Sequence, residues 1–325
     1  MTVTQTAKVD RFSAERMKFS FRGGVFIPLM SLLLIFVMFG ALAPTRFLTV
    51  TNVEVILTQA AVLAVVGFGL TLVIISGSID LSVGSVAALS GIIAAQLAAA
   101  LGPAPAVLIG VAVGGLAGFI NGLVFVYLRV PSFLVTLAML TTARGIAYFI
   151  SDGESFVVYG MPILGYIGSY PTVVFVAVGL FAALWLLLNK TPMGLYIRSI
   201  GGSEQIARLV GLPLNRIKLS IFVLSGVTAG IGGLILASRQ GAATPNLGTS
   251  LELDVITAVV LGGTPLTGCV GNVTNTVIGA IAISALSNGL IIIGLTSDVQ
   301  MIIKGVVLIL AILVALERSK IGIIK

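Results

Sequence analysis

Long apolar runs alternate with short polar ones along the whole chain, at the ~20-residue length that carries an α-helix across a bilayer. The pattern predicts about ten spans, near residues 25–42, 53–76, 82–101, 104–127, 133–150, 171–188, 216–237, 251–270, 272–293 and 297–316. The expected fold class is therefore all-α, a polytopic membrane bundle, and an even number of crossings puts both termini on one side. The longest polar interruption, 189–218, carries Lys190, Arg198, Arg208, Arg216 and Lys218 against one acid, Glu204. Inside it, residues 203–209 predict a short helix with Ser203 as N-cap and Gly211-Leu212-Pro213 as its stop. So short a helix does not stand alone in water. It needs a partner surface.

Two stretches interrupt the apolar pattern at membrane depth. In SGSIDLSVGS (76–85) a helix runs into Ser76-Gly77-Ser78, breaks, and restarts near Asp80-Leu81-Ser82, where Asp80 or Ser82 accepts from the restarting helix. Irregular backbone at such depth survives only where protein or water covers it, so the break points to the bundle interior or to a pathway. A second Gly-rich stretch, GGTPLTGCVG (262–271), has similar chemistry, with Leu266-Thr267 placed as Leu81-Ser82 are. That likeness hints at an internal repeat. Glycines at 110, 114 and 118, and at 226, 230 and 233, fall on single helix faces and predict close helix packing.

Composition narrows the class. The 325 residues are 58% hydrophobic and 9% charged, against about 25% charged in a soluble domain. There is no His and one Cys, Cys269, which excludes internal disulfides, His acid–base chemistry and a Cys/His zinc site. No nucleotide-binding P-loop, nucleophile elbow, metal-ligand spacing or paired carboxylates within a span occur, so no catalytic site, metal or cofactor is expected in this chain. The start, 1–24, reads as a cytoplasmic leader to a retained first span, with 25–325 as a single transmembrane domain.

The net charge of +7 reflects location, since no basic patch with interleaved aromatics suggests nucleic acid. With the N-terminus inside, the inner side collects Lys8, Arg11, Arg16, Lys18, Arg22, Arg129, Lys190, Arg198, Arg208, Arg216, Lys218, Arg318, Lys320 and Lys325. Only Arg46 and Arg239 fall outside, while Arg144 and Lys304 fall within spans. That asymmetry predicts cytoplasmic termini. The longest outer loop, 151–170, holds Asp152 and Glu154; with Glu252 and Asp254 at the next outer boundary they predict an acidic rim. Intramembrane polar residues are functional candidates by default: Gln59, Ser76, Ser78, Asp80, Ser82, Asn121, Arg144, Asn288, Gln300 and Lys304. Arg144 and Lys304 are expected to pair internally or reach the interface rather than to touch substrate.

The run SGSIDLSVGS, then NGL (121–123), VPSFLVTLAMLTTARGIAYFI (130–150) and GLYIRSIGGSEQIARLVGLPLNRIKLSIFVLSG (194–226) resembles the membrane permeases of bacterial ABC sugar importers of the ribose type. The likeness continues through ELDVITAVVLGG (252–263), NGLIIIGL (288–295), Gln300 and Lys304-Gly305, and spans nearly the whole chain. It implies a type II-like importer architecture in the bacterial inner membrane. It also implies a second permease copy or close relative, an ATPase subunit of two fused halves holding ATP and Mg, and a periplasmic or lipid-anchored sugar-binding protein. In such permeases the loop after the sixth span couples to the ATPase; the matching residues are Gly201, Gly202, Glu204, Ala207, Arg208 and Gly211. Ala207 and Gly211 would then let the helix sit close in a cleft on the ATPase, with Glu204 and Arg208 tying its exposed edge. The chain departs from the family pattern at Pro265, Cys269 and Val299, positions that bear on substrate identity. Alternatives are a branched-chain amino-acid permease of the same superfamily, or an ion-coupled secondary transporter with Asp80 as carrier.

Overall fold

The computed structural model describes residues 9–315, so the leader is seen only from Val9 and the basic C-terminus lies outside the described residues. Helix α1 (Val9–Leu42) leads through the one-turn α2 (Pro44–Phe47) to α3 (Val50–Ile75), α4 (Val83–Leu101), α5 (Pro103–Tyr127) and α6 (Ser132–Ser151). A two-residue strand β1 (Phe156–Val157) precedes α7 (Thr172–Lys190), and two short helices follow, α8 (Pro192–Gly202) and α9 (Glu204–Leu209). The chain continues through α10 (Leu214–Gln240), β2 (Ala242–Ala243), α11 (Leu251–Leu261), α12 (Val273–Ile292) and α13 (Ser297–Ala315). Among the described residues nine helices are long and apolar enough to cross a membrane.

The eighth predicted span, 251–270, is not one continuous helix. Helix α11 stops at Leu261 and is about 16 Å long, half of a bilayer core. The crossing is nevertheless made. At one end β2 pairs with β1 beyond the ends of α6 and α10. At the other, Cys269 N–H donates to the Ile75 carbonyl beside α8. Residues 244–261 therefore return across the bundle as an irregular stretch followed by a half-helix.

Helix α3 is the central post. Every residue from Ala60 to Ile75 is buried, as expected of a helix apolar on all sides. Its glycines admit neighbours: a Cβ at Gly69 would stand 2.8 Å from the Ser225 Cα, and one at Gly67 would stand 2.9 Å from Thr276 Cγ2. Thr71 and Thr276 share a 2.7 Å hydrogen bond inside that contact.

The glycine stripes meet each other, as their spacing predicts. A methyl at Gly226 would overlap the Gly114 carbonyl, and one at Gly118 would overlap the Phe222 carbonyl. Without a hydrophobic force between helices in lipid, this backbone-to-backbone approach supplies the packing. Gly226→Leu is expected to cost at least about 3 kcal/mol and to remove most folded protein, read as the monodisperse fraction in detergent.

Candidate functional site

Both interrupted helices end in the same way. Helix α3 closes with Gly77 at φ +78°, its N–H bonded to the Ile74 carbonyl and the Ser78 N–H to the Val73 carbonyl. Helix α11 closes with Gly263 at φ +85°, its N–H on the Val260 carbonyl and the Thr264 N–H on the Val259 carbonyl. Each is a Schellman termination, which needs a glycine at the left-handed position. The two breaks thus share a termination, but with Gly77 matched to Gly263 the register is one residue off the likeness in the sequence, which set Leu81-Ser82 against Leu266-Thr267. Beyond the termination the two diverge: Ser82 leads straight into α4, whereas α12 starts only after Asn272, which caps it by accepting from Thr274 N–H at 3.2 Å.

The two endings touch. A turn from Pro265 to Gly268, closed by a 3.1 Å backbone bond, aims the next N–H, that of Cys269, at Ile75 O, 2.8 Å away. All four final carbonyls of α3 are then satisfied: Leu72 by Ser76, Val73 by Ser78, Ile74 by Gly77 and Ile75 by Cys269. Such groups would otherwise be costly at this depth. Gly201, at the C-terminal end of α8, presses on this same point; a Cβ there would overlap the Ile75 carbonyl and stand 2.5 Å from Cys269 N. One helix of the long polar connection therefore bears on both breaks at once.

Helix α9 has the predicted cap and stop. Ser203 Oγ accepts from Ile206 N–H at 3.3 Å, and Gly211 takes φ +79°. Glu204 receives Arg208 at 3.1 Å and Lys218 at 2.6 Å, so it pins α9 to the start of α10 as well as tying its edge. The Lys218 hydrogen bond, foremost, holds the Glu204 carboxyl below its ordinary value. Lys218 also lies 4.7 Å from the Phe125 ring centre. Ala207 faces the other way from the expectation: it is 2% exposed, buried against its own chain, while Ile206, Leu209 and Val210 project outward. Helix α8 itself was not foreseen from the sequence.

The remaining predicted residues divide into two groups. Asp80, 1% exposed, accepts from Ser82 N–H at 2.9 Å, Ser82 Oγ at 2.6 Å and Ser225 Oγ at 2.8 Å, and Asn121 Nδ2 donates to Ser82 Oγ at 3.0 Å. Ser76 donates to the Val73 carbonyl, and Ser78 is buried beside it. This network ties the first break to α5 and α10. Asp80, rather than Ser82, supplies the accepting side chain at the start of α4. Asn288 lies apart, in α12 beside α1, where Gly289 packs on Phe39. Gln300 is half-buried and donates to the Leu295 carbonyl in the α12–α13 turn at 2.8 Å. Gln59 is half-buried on α3.

The intramembrane cations have internal partners. Lys304 pairs with Asp254 at 2.8 Å, and Arg144 Nη1 donates to the Pro245 carbonyl and, at 2.8 Å, to that of Leu247. This corrects the expected acidic rim. Asp152 and Glu154 are exposed, but Asp254 turns to α13 and Glu252 packs against Gly84 of α4.

A family model described as branched-chain amino acid transport system / permease component matches residues 52–312. The chain is 38% identical over 295 residues to the ribose import permease protein of Escherichia coli K12, covering 88% of this chain and 92% of that protein. It is 36% identical over 322 residues to the ribose import permease protein of Bacillus subtilis 168, covering 96% and 99%. With the L-arabinose ABC transporter permease protein of Azospirillum brasilense it shares 33% over 309 residues, covering 90% and 89%. No solved structure matches the chain.

Proposed function

The chain belongs to the transport-system permease family whose model it matches over residues 52–312, and from that premise we propose that it imports a monosaccharide as the membrane subunit of an ATP-binding-cassette transporter. The family description speaks of branched-chain amino acids, but the relatives that align over most of this chain carry the names of ribose and arabinose permeases. The sugar reading follows them. In this reading ATP and Mg sit on a separate ATPase, in keeping with the missing P-loop. A secreted binding protein delivers the sugar at the outer face, and a second permease copy completes the path. The termini lie in the cytoplasm, as the charge asymmetry indicates.

The contact that carries the reading is Gly201 against Ile75 and Cys269. A movement imposed on α8 and α9 from the cytoplasm reaches the end of α3 and the 262–271 break directly. The gripping face is Ile206, Leu209 and Val210, with Leu209 86% exposed. Apolar side chains so far out of the bundle need cover, and an ATPase groove supplies it. Ala207 then serves close packing within the chain, Gly211 supplies the left-handed turn that ends α9, and Glu204, Arg208 and Lys218 hold the element rigid.

The test is uptake into vesicles carrying the permease, its ATPase and its binding protein. ATP-driven entry of a pentose or hexose, and none of leucine, is expected. Leu209→Asp, on an exposed position, is expected to leave the protein folded but to lower ATPase co-purification and uptake by tenfold or more, about 1.4 kcal/mol or above. Wild-type uptake by that variant would refute the coupling assignment, and entry of leucine alone would refute the substrate class.

A further inference from the structure

We propose that the outer half of the translocation path is walled by α6 and residues 244–250, which present Thr141, Thr142, Tyr148, Asn246 and Thr249 to the passing solute. The inference rests on the import reading above and gives it a site.

The first observation is the outer surface of α6. Leu134, Ala138, Thr141, Thr142, Gly145 and Tyr148 fall at helical spacing on one exposed face, with Leu137 at its edge and Phe149 at its outer end. Exposed positions in the middle of the other long helices are apolar: Leu108, Leu116 and Phe119 on α5, Phe175 and Val178 on α7, Met301, Ile309 and Leu310 on α13. Those faces suit lipid. The α6 face carries hydroxyls in the same depth range.

The second observation is the backbone beside it. Residues 244–250 have no helix or strand, yet they lie deep in the bundle. A Cβ at Gly84 would stand 2.5 Å from the Gly248 carbonyl, and Gly84 sits two residues beyond Ser82, level with Ser225 midway along α10. Lipid does not tolerate such backbone; protein or water must face it. The segment alternates accordingly, with Ala243, Pro245 and Leu247 buried and Asn246 and Thr249 exposed. Its inner side is covered by this chain. Its outer side is polar, and therefore wet.

The geometry also orients the polar groups. Tyr148 Oη and Asn246 Oδ1 lie 2.7 Å apart, so the phenol donates to the amide oxygen and leaves the Asn246 NH2 free to donate outward. Thr141 gives its proton to the Ala138 carbonyl at 2.8 Å, and Thr249 gives its own to the Asn246 carbonyl at 2.7 Å. Both oxygens keep acceptor lone pairs. One amide donor on the same wall as several hydroxyl acceptors, with no free charge on the face, fits the hydroxyls of a neutral sugar and holds them loosely enough to let go. The Asp80 network, by contrast, is closed on itself inside the chain.

Thiol labelling of the assembled transporter in membranes tests the wall. In a Cys269→Ser background, Asn246→Cys and Thr142→Cys are expected to react with a membrane-impermeant maleimide at least about tenfold faster than Leu116→Cys and Leu310→Cys, since only a wet face ionises its thiols. Thr142 makes no bond that the substitution would break, so it keeps the test alive if the Asn246 variant misfolds. Rates equal to the lipid-facing controls would overturn the proposal. So would protection of both thiols with spontaneous cross-linking between copies, which marks a dry seam. The labelling contrast does not depend on what is transported: a failed sugar-uptake assay with the contrast intact would refute the substrate class and leave the wall standing.

Discussion

Gly201→Ala is expected to abolish ATP-driven uptake, while Gly202→Ala, one position along the same helix, is expected to leave it intact. The two glycines share a helix end but not surroundings. A methyl at Gly201 would overlap the Ile75 carbonyl and crowd the Cys269 N–H, both backbone atoms that are bonded to each other. Neither can rotate away, so α8 must lift or the Cys269–Ile75 bond must break. At Gly202 the nearest atom is the Cys269 sulfur, 3.4 Å away on a side chain that can yield. Overpacking against a rigid neighbour costs about 1–3 kcal/mol, whereas Gly→Ala in an open helix position gains up to about 1 kcal/mol. The signs are opposite. Uptake and ATPase activity measured together separate the outcomes: Gly201→Ala should hydrolyse ATP without transport, or lose both through misassembly. Full coupled transport in that variant would remove the mechanical link between α8 and the broken helices.

That link is what makes the long polar connection more than a tether. Its first helix, α8, bears on the end of α3 and on Cys269 in the break that follows α11, and both α3 and α11 end in a glycine-hinged termination rather than running on. Helix α3, buried from Ala60 to its C-terminal end, is packed against α10, α7, α11 and α12. Displacing its C-terminal end displaces the middle of the bundle. Under the proposed coupling, a displacement of the second break would reach the 244–250 segment through the eleven residues of α11.

The sequence made the long helices legible because run length alone decides whether a segment crosses a bilayer. It showed 251–270 as a crossing with a Gly-rich break at 262–271, but not that the helix has only eleven residues and follows the irregular stretch 244–250, because apolar composition reports depth, not backbone conformation. The breakers were present, Gly262, Gly263, Pro265, Gly268 and Gly271, but their neighbours kept the hydropathy high. Helix α8 was hidden by its position, since an amphipathic eleven-residue run beside charged residues reads as loop. The smallness of Ala207 correctly signalled a close approach, but residue size does not say whether the approaching surface is foreign. The partners of Arg144 lie 101 and 103 residues away. No local pattern announces them.

Those partners set the second large effect. Arg144→Met is expected to remove most of the folded protein, Arg144→Lys to retain an intermediate amount, and neither to alter sugar preference before stability. The guanidinium is the donor for two carbonyls of an irregular segment at membrane depth. Leaving each unpaired costs about 1–3 kcal/mol, together a large share of the roughly 5–15 kcal/mol that holds a domain folded. Methionine fills the space but donates nothing. Lysine carries its donors on a single nitrogen with a shorter total reach and lacks the planar fork, so it serves the two acceptors less well. Glu252 is close enough to interact with the Arg144 charge, and without the cation its carboxylate would stand uncompensated beside α4. The double variant Arg144→Met, Glu252→Gln separates the two causes. If the unpaired carbonyls dominate, the double variant melts as low as Arg144→Met alone; if the stranded charge dominates, it recovers toward wild type. Melting in detergent, followed by the monodisperse fraction against temperature, reads all four proteins, and an Arg144→Met that melts with wild type would show that the segment holds its shape without the arginine.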